Sequence, residues 1–207
     1  MIKVISLDIG GTLVEKKSKD YSKYNLTALS NIVKVPYSDV RKAYKDVFQK
    51  TKGNKNELIN NFCNILNINR NIQIDNFFSN KFKSSNGYIS QDKIDVIKKL
   101  KQLKYKIILF SNNCCLFKSD IEEYKYLFDE VFYSFNIGYT KNEVESYEYI
   151  ESKMNYQPGE FLHIGDTLIS DYKCPKENGW NALYYGVCND PKVKSIKSLQ
   201  EIFNYLL

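Results

Sequence analysis

The chain has 207 residues, of which 43% are hydrophobic and 26% charged, and 30 Lys and Arg against 24 Asp and Glu give a formal net charge of +6. This composition is that of an ordinary globular protein, which excludes a collagen-like, coiled-coil or wholly disordered chain. The positive charge comes from lysines spread along the chain, with arginine only at Arg41 and Arg70. It therefore predicts a solvated basic surface and no nucleic-acid partner.

The sequence also argues against a membrane protein and against a disulfide-rich secreted one. The longest apolar stretches, such as residues 107–110, are far shorter than the roughly 18 residues that a membrane-spanning helix needs. Asp8 comes too early for the apolar core of a signal peptide. The five cysteines are odd in number and form no C-x-x-C pair, which disfavours a disulfide framework and a structural zinc site. We expect a cytoplasmic protein with no membrane partner.

Short apolar runs alternate with helical patterns through most of the chain. Continuous apolar runs are typical of buried parallel strands, so five of them predict strands. His163 lies inside one of these runs and is expected to be a core residue. Strands that alternate with helices in this way predict an α/β fold with a parallel sheet. The predicted strands are residues 2–7, 105–111, 131–135, 161–164 and 182–187, and the predicted helices begin after Ser90 and cover 143–154, 168–178 and 195–205.

Residues 15 to about 86 interrupt this alternation. They contain no clear strand and show about four amphipathic helical patterns, the first over residues 24–33. Ser38 is predicted to cap the second of these helices at its amino end. We therefore expect the chain to leave an α/β core after its first strand, form a helical insert and return near Gly87.

Polar residues follow the apolar runs at the points where the predicted strands end. Asp8, Ser111 and Asp166 each come directly after, or close the end of, such a run. In open α/β sheets the ligand crevice lies beyond the carboxyl ends of the strands, so these side chains are expected to meet at one site. Four clusters of this kind occur along the chain: Asp8 to Thr12, Ser111 with Asn112, Lys141, and Gly165 and Asp166 with Asp171.

These four clusters resemble, in order and spacing, the four motifs of the haloacid dehalogenase (HAD) superfamily of phosphohydrolases. The segment Asp8-Ile9-Gly10-Gly11-Thr12-Leu13 is similar to the family's Asp-x-Asp-Gly-Thr-Leu. The resemblance implies a Rossmann-like three-layer core with a parallel sheet over residues 1–14 and 87–207, and a helical C1 cap over residues 15–86. The other three motifs are matched by Ser111 at a strand end, by Lys141 in Gly-Tyr-Thr-Lys, and by Gly165-Asp166 followed by Asp171.

The resemblance also implies catalytic roles. Asp8 is expected to attack the phosphorus atom of the substrate and form an aspartyl-phosphate, with Lys141 neutralising negative charge. Thr12, Ser111, Asn112 and Lys141 are expected to bind the phosphoryl oxygens. The implied substrate is a small phosphorylated metabolite.

A magnesium site is implied in the same way. Mg²⁺ prefers hard oxygen ligands and keeps several of its waters. By resemblance to the family, Asp8, the backbone carbonyl of Gly10 and Asp166 are expected to hold the ion. Asp171 is expected to support its waters.

Gly10 departs from the pattern of the family's phosphatases. They carry a second Asp two residues after the nucleophile, which protonates the leaving oxygen and later activates water. Such proton transfer typically contributes ~10²–10⁴ in rate, and glycine cannot supply it. A weak phosphatase, or one whose substrate has a good leaving group such as an acyl or aryl phosphate, is compatible with Gly10.

Other interpretations stay open beside this one. The family's phosphonatases carry a small residue at the position of Gly10 and cleave a C–P bond, using a cap lysine as a Schiff base, so a phosphonatase-like enzyme stays an alternative. A binding protein can keep the fold without the chemistry. Sugar kinases of the actin/hexokinase superfamily share Asp-Ile-Gly-Gly-Thr. They need two lobes, however, and their chemistry does not call for a lysine such as Lys141. The 2-haloacid dehalogenases carry Tyr at the Gly10 position and need no metal, whereas this chain retains both Asp166 and Asp171.

Overall fold

The computed structural model describes residues 1–16, 24–83, 87–117 and 121–206, and these form a parallel six-stranded sheet with a separate two-stranded one. The large sheet has the order β5-β4-β1-β6-β7-β8, with β2 and β3 paired in the small one. In chain order the strands are β1 (Val4–Leu7), β2 (Val14–Lys16), β3 (Gly87–Ile89), β4 (Lys106–Ser111), β5 (Glu130–Tyr133), β6 (Phe161–Gly165), β7 (Asn181–Tyr185) and β8 (Ser195–Ile196).

Helices cover both faces of the large sheet and fill most of the stretch between β2 and β3. Among the described ranges, no helix is both long and apolar enough to cross a bilayer. Segments of π-helix lie at Lys45–Gln49 and Leu168–Lys173. The α-helices are α1 (Leu26–Val33), α2 (Tyr37–Tyr44), α3 (Lys55–Ile65), α4 (Ile72–Lys83), α5 (Gln91–Gln102), α6 (Ser134–Ile137), α7 (Val144–Met154), α8 (Cys174–Glu177) and α9 (Phe203–Leu206).

The large sheet is the middle of three layers, because alternate residues of its central strands point to opposite faces. One apolar cluster joins one face to α5, and a second cluster joins the other face to α7 and Trp180. The α/β Rossmann-like fold that the sequence predicts is therefore confirmed. Ile5, Leu7, Ile107 and Leu109 belong to the first cluster, whereas Val4, Ile108 and Phe110 belong to the second.

The five predicted strands of the large sheet are confirmed, but the C-terminal segment 195–205 is not a helix from its start. Ser195–Ile196 forms the sixth strand, paired with Tyr184 and Tyr185 of β7. Ser198 and Glu201 then form a capping box. The Ser198 side chain accepts from the Glu201 backbone N–H, and the Glu201 side chain accepts from the Ser198 backbone N–H. Helical structure begins only after this cap.

The prediction that no strand occurs between residue 15 and residue 86 is wrong at its first residues. The strand β2 extends to Lys16 and pairs antiparallel with β3, with Val14 opposite Ile89. A three-residue strand is too short to show a periodic pattern, and its partner is distant in the sequence. Segments 17–23 and 84–86, at the two ends of the predicted insert, lie outside the described residues.

The helices α1 to α4 pack around an aromatic cluster of their own. Phe48 lies at its centre, stacked on Phe78 with ring centroids 4.7 Å apart and on Tyr44 at 4.9 Å. The predicted cap at Ser38 is wrong, because Ser38 lies inside α2, whose N-cap residue is Pro36. The Pro36 carbonyl accepts from the N–H groups of Asp39 and Val40, both at 3.1 Å, which starts the helix. The Ser38 hydroxyl bonds to the neighbouring Asp39 carboxylate instead.

The helical segment, from α1 to α4, contacts two parts of the rest of the protein: the residues that follow β4 and the loop that precedes α7. Phe117, which follows β4, packs edge-on against Phe82 of α4, with centroids 5.2 Å apart. The Gln49 amide donates to the backbone carbonyl of Asn112 at 3.4 Å. Glu143, just before α7, forms salt bridges with Lys45, at 3.5 Å, and with Lys50 of the helical segment. The division into core and cap at 14/15 and 86/87 stays a prediction.

The ion pairs of Glu143 predict a pH-dependent contribution to stability. Burial opposes ionisation, but the bonds from Lys50 and Thr140 and the charge of Lys45 lower the pKa of Glu143 from 4.5 to about 2. Ionised Glu143 therefore stabilises the fold above pH 4.5, and this contribution is lost as the pH falls towards 2. It amounts to at most about 3 kcal/mol.

We expect Glu143→Gln to lower the free energy of unfolding by roughly 1–3 kcal/mol at pH 7. The difference from wild type should shrink in urea denaturation at pH 3, because Glu143 of the unfolded chain, with its ordinary pKa of 4.5, is then protonated and folding must release that proton. The matched control is Glu148→Gln, at an exposed position of α7, which should change stability little. A difference that stays constant between pH 7 and pH 3 would contradict the assigned ion pairs.

Candidate active site

The loop after β1 places Asp8 beside Asp166. The Asp8 N–H donates to the Ile164 carbonyl of β6 at 2.9 Å, which ties the loop to the neighbouring strand. Gly11 has φ +83°, a left-handed conformation that favours glycine. A Cβ atom at Gly11 would also collide with the Asp166 carboxylate. The glycine therefore allows the close approach of the two loops.

Three carboxylates converge at this carboxyl edge of the sheet. Asp8, Asp166 and Asp171 each offer an oxygen atom, and these atoms lie within 4.8 Å of one another. Asp171 comes from the π-helical segment after β6, and its Oδ2 accepts from the Thr167 N–H at 2.8 Å. Its carboxyl group lies so close to Gly165 that a Cβ atom there would collide with it. The structure thus brings together the predicted acidic residues.

The Lys141 side chain is buried between two of these carboxylates. Its Nζ lies 2.5 Å from Asp8 Oδ1 and 2.7 Å from Asp171 Oδ1, and the residue is 1% exposed. The side-chain oxygen of Asn112 accepts from the Lys141 N–H at 2.9 Å, and the Tyr147 hydroxyl donates to the Lys141 carbonyl at 2.7 Å. Both bonds fix the backbone that carries the ammonium group.

The described side chains of the site carry more negative than positive charge. Burial opposes the charge of Lys141, but the Coulombic attraction of Asp171 and Asp8 outweighs it and raises the pKa of the lysine. Burial, followed by the charges of Asp8 and Asp171, raises the pKa of Asp166 to about 6 although its side chain reaches solvent. Among the described residues, three carboxylates face one ammonium, and this excess of negative charge suits a divalent cation with oxygen ligands.

The predicted phosphate-binding residues lie at the same edge. Ser111 ends β4, which pairs with β1, and is buried. Thr12 is buried in the loop after β1, and its hydroxyl has no hydrogen-bond partner among the described residues. Buried hydroxyls are nearly always hydrogen-bonded in native proteins. The Thr12 hydroxyl is therefore available to a ligand.

Gly10 lies exposed in the same loop. A Cβ atom built there meets no other atom within 4 Å. The position is open, so a side chain at residue 10 would extend into free space.

Behind the carboxylates, the side chains of Ser6, His163 and Asp171 lie in hydrogen-bonding contact with one another, which the sequence does not reveal. His163 is 0% exposed, which confirms it as a core residue. Its Nδ1 lies 2.8 Å from the Ser6 hydroxyl, and its Nε2 lies 3.4 Å from Asp171 Oδ1. Ser6 and His163 face each other across β1 and β6. A polar residue inside each of two apolar runs is the one signal of this contact, and the pairing register is needed to use it.

Comparisons with known proteins agree with this geometry. The family model of haloacid dehalogenase-like hydrolases matches residues 2–179. A search of curated protein sequences found no match. A HAD family enzyme from Bacteroides thetaiotaomicron is similar over 92% of this chain and 96% of its own, with 18% identity and a TM-score of 0.64. A structure of that enzyme with magnesium and inorganic phosphate, covering 93% of this chain and 98% of its own, has 16% identity and a TM-score of 0.60.

A 2-haloacid dehalogenase from Pseudomonas syringae pv. Tomato has a similar fold. The match covers 100% of this chain and 98% of that one, with 12% identity and a TM-score of 0.65. At these identities the solved structures show the shared fold, whereas the family model covers most of the sequence. The chain therefore belongs to the haloacid dehalogenase-like hydrolases.

Proposed function

We propose that the protein is a Mg²⁺-dependent phosphohydrolase that acts on a small phosphorylated metabolite, with Asp8 as the nucleophile. The observation that carries the proposal is the Lys141 ammonium, buried between Asp8 and Asp171 at the carboxyl edge of the sheet. It supplies a fixed positive charge beside the attacking carboxylate. Phosphoryl transfer depends mainly on such positioning and charge neutralisation.

The covalent step follows from the placement of Asp8. Its carboxylate oxygen attacks the phosphorus atom, the bond from phosphorus to the leaving oxygen breaks, and an aspartyl-phosphate forms. Water then attacks the same phosphorus atom, which releases inorganic phosphate and restores Asp8. Lys141, the unpartnered Thr12 hydroxyl and Ser111 bind the phosphoryl oxygens, together with the backbone of Asn112.

The donor set fits magnesium. Carboxylate oxygens from Asp8, Asp166 and Asp171 lie within 4.8 Å of one another, and such hard oxygens are the ligands that Mg²⁺ prefers. In this proposal Asp8, the Gly10 carbonyl and Asp166 hold the ion, and Asp171 orients its waters. When bound, Mg²⁺ neutralises charge on the phosphate.

The same residues favour a phosphohydrolase over the other reactions of this family. A 2-haloacid dehalogenase needs no metal, and Asp166 and Asp171 would then have no ion to hold or support. A phosphonatase needs a free amine from the helical segment. Among the described residues of this segment, Lys45 and Lys50 contact the Lys141 loop, and both are paired with Glu143.

The leaving group is expected to be a good one. Gly10 has no side chain that could protonate a leaving oxygen at the position where the family's phosphatases carry an acid. An acyl or aryl phosphate leaves without that proton. These compounds are therefore the preferred substrate classes of the proposed reaction.

The test is a hydrolysis assay with acetyl phosphate and p-nitrophenyl phosphate. We expect phosphate release with Mg²⁺, loss of activity in EDTA and recovery when Mg²⁺ is added back. The larger Ca²⁺ should restore activity poorly, because it takes more ligands at longer distances. Hydrolysis that persists in EDTA, or chloride release from 2-chloropropionate in its place, would contradict the proposal.

A further inference from the structure

We propose that Ser6 and His163 form a positioning relay, which holds the Asp171 carboxylate in place and, through it, the Lys141 ammonium against Asp8. The inference deepens the proposed function and rests on it. Neither Ser6 nor His163 belongs to the motifs that resemble the family. Both lie inside strands that otherwise consist of buried apolar residues.

The ring of His163 is held in one orientation by its surroundings. Ser6 lies opposite it in the β1–β6 register, and both residues are 0% exposed. Phe110 and Trp180 pack around the imidazole, with ring centroids at 5.9 and 6.5 Å. A ring confined in this way can direct a hydrogen bond.

The partners of the ring also select its tautomer. The Asp171 oxygen that faces Nε2 is an ionised carboxylate oxygen and can only accept, so Nε2 must carry the hydrogen. Nδ1 of the neutral ring then accepts, and the Ser6 hydroxyl, 2.8 Å away, is its donor. With this tautomer both ring nitrogens are satisfied inside the core.

Asp171 receives a different donor from each side. The Lys141 ammonium donates to Oδ1 at 2.7 Å, and the Thr167 N–H donates to Oδ2 at 2.8 Å. His163 approaches Oδ1 from the sheet, at 3.4 Å. The Ser170 hydroxyl also lies 3.4 Å from Oδ1. Without the His163 donor the carboxylate loses its support on the sheet side, and the direction in which it holds Lys141 against Asp8 is less closely fixed. Loss of an orienting group of this kind typically costs 10–100-fold in metal affinity or activity.

The first experiment observes the ring directly. His163 is the single histidine of the chain, so long-range ¹H–¹⁵N NMR spectra of the untagged protein contain one imidazole. We expect the Nε2-protonated tautomer, with an Nε2 signal that shifts in Asp171→Asn and an Nδ1 signal that shifts in Ser6→Ala. An Nδ1-protonated ring, or a ring that does not respond to Asp171→Asn, would overturn the relay.

The second experiment uses two amides that differ by one methylene group. In His163→Gln the amide nitrogen can reach the place of Nε2 and donate to Asp171, whereas in His163→Asn it reaches only the place of Nδ1. We expect kcat to fall roughly 10–100-fold in His163→Asn, with little change in KM, and to be largely retained in His163→Gln. Equal losses in the two variants would indicate a packing role alone and reject the relay.

Mg²⁺ binding, measured by calorimetry on the same variants, separates the two proposals. The Asn variant should bind Mg²⁺ roughly 10–100-fold more weakly than the Gln variant. A wild type that neither binds Mg²⁺ nor hydrolyses phosphate compounds contradicts the proposed function. The tautomer and its response to Asp171→Asn still decide the relay in that case, since they require no activity.

Discussion

Asp8→Asn is expected to abolish phosphate hydrolysis, with a fall in kcat of about 10⁴-fold or more. An amide of the same size cannot attack phosphorus, so the step that forms the aspartyl-phosphate is lost. The fold should tolerate the change, because Lys141 keeps its 2.7 Å bond to Asp171. The loss of one negative charge also relieves part of the repulsion that, together with the larger effect of burial, raises the pKa of Asp166. The measurement is kcat for p-nitrophenyl phosphate, together with the thermal unfolding midpoint.

The matched control for Asp8→Asn is Asp39→Asn, an exposed Asp-to-Asn change in the first turn of α2. It should leave kcat unchanged. A second measurement follows the phosphorylated intermediate: acid-quenched wild type treated with acetyl phosphate should carry one phosphoryl group, and Asp8→Asn should carry none. Asp8→Asn with wild-type kcat would show that another residue is the nucleophile.

The residues that the sequence identifies best are those at strand ends. Asp8, Ser111 and Asp166 follow apolar runs, and parallel strands bring such positions to one edge without any further information. Lys141 follows no strand, and its place at Asp8 depends on the bond that its N–H donates to Asn112 and on the bond that its carbonyl accepts from Tyr147. Its prediction rests on the family resemblance, since a lone lysine carries no signal of burial.

Features that depend on pairing between distant segments cannot be predicted from local sequence patterns. The strands β2 and β3 are short and gain their stability from each other. The Ser6–His163 bond requires the register of β1 against β6, which two apolar runs do not specify. The salt bridges of Glu143 require the position of the helical segment on the sheet. Such contacts are properties of the folded chain as a whole.

Gly10→Asp is expected to raise kcat for poor leaving groups by ~10²–10⁴-fold. The side chain has room, because no atom lies within 4 Å of a Cβ built at Gly10. The new carboxyl group enters a site that already has an excess of negative charge, which favours its protonated form. It can therefore donate a proton to an alkoxide leaving group. The measurement compares kcat for an alkyl phosphate, such as glycerol 2-phosphate, with kcat for p-nitrophenyl phosphate.

The gain in Gly10→Asp should be much smaller for the aryl phosphate, whose leaving group needs no proton. Gly10→Asn is the matched control, since its side chain has nearly the same size but no acidic proton, and it should give no gain with either substrate. Equal gains in the two variants would mean that filling the open space, and not proton transfer, raises the rate. A wild type inactive on acyl, aryl and alkyl phosphates, with activity gained in Gly10→Asp alone, would instead identify a binding protein that has lost its catalysis at this one position.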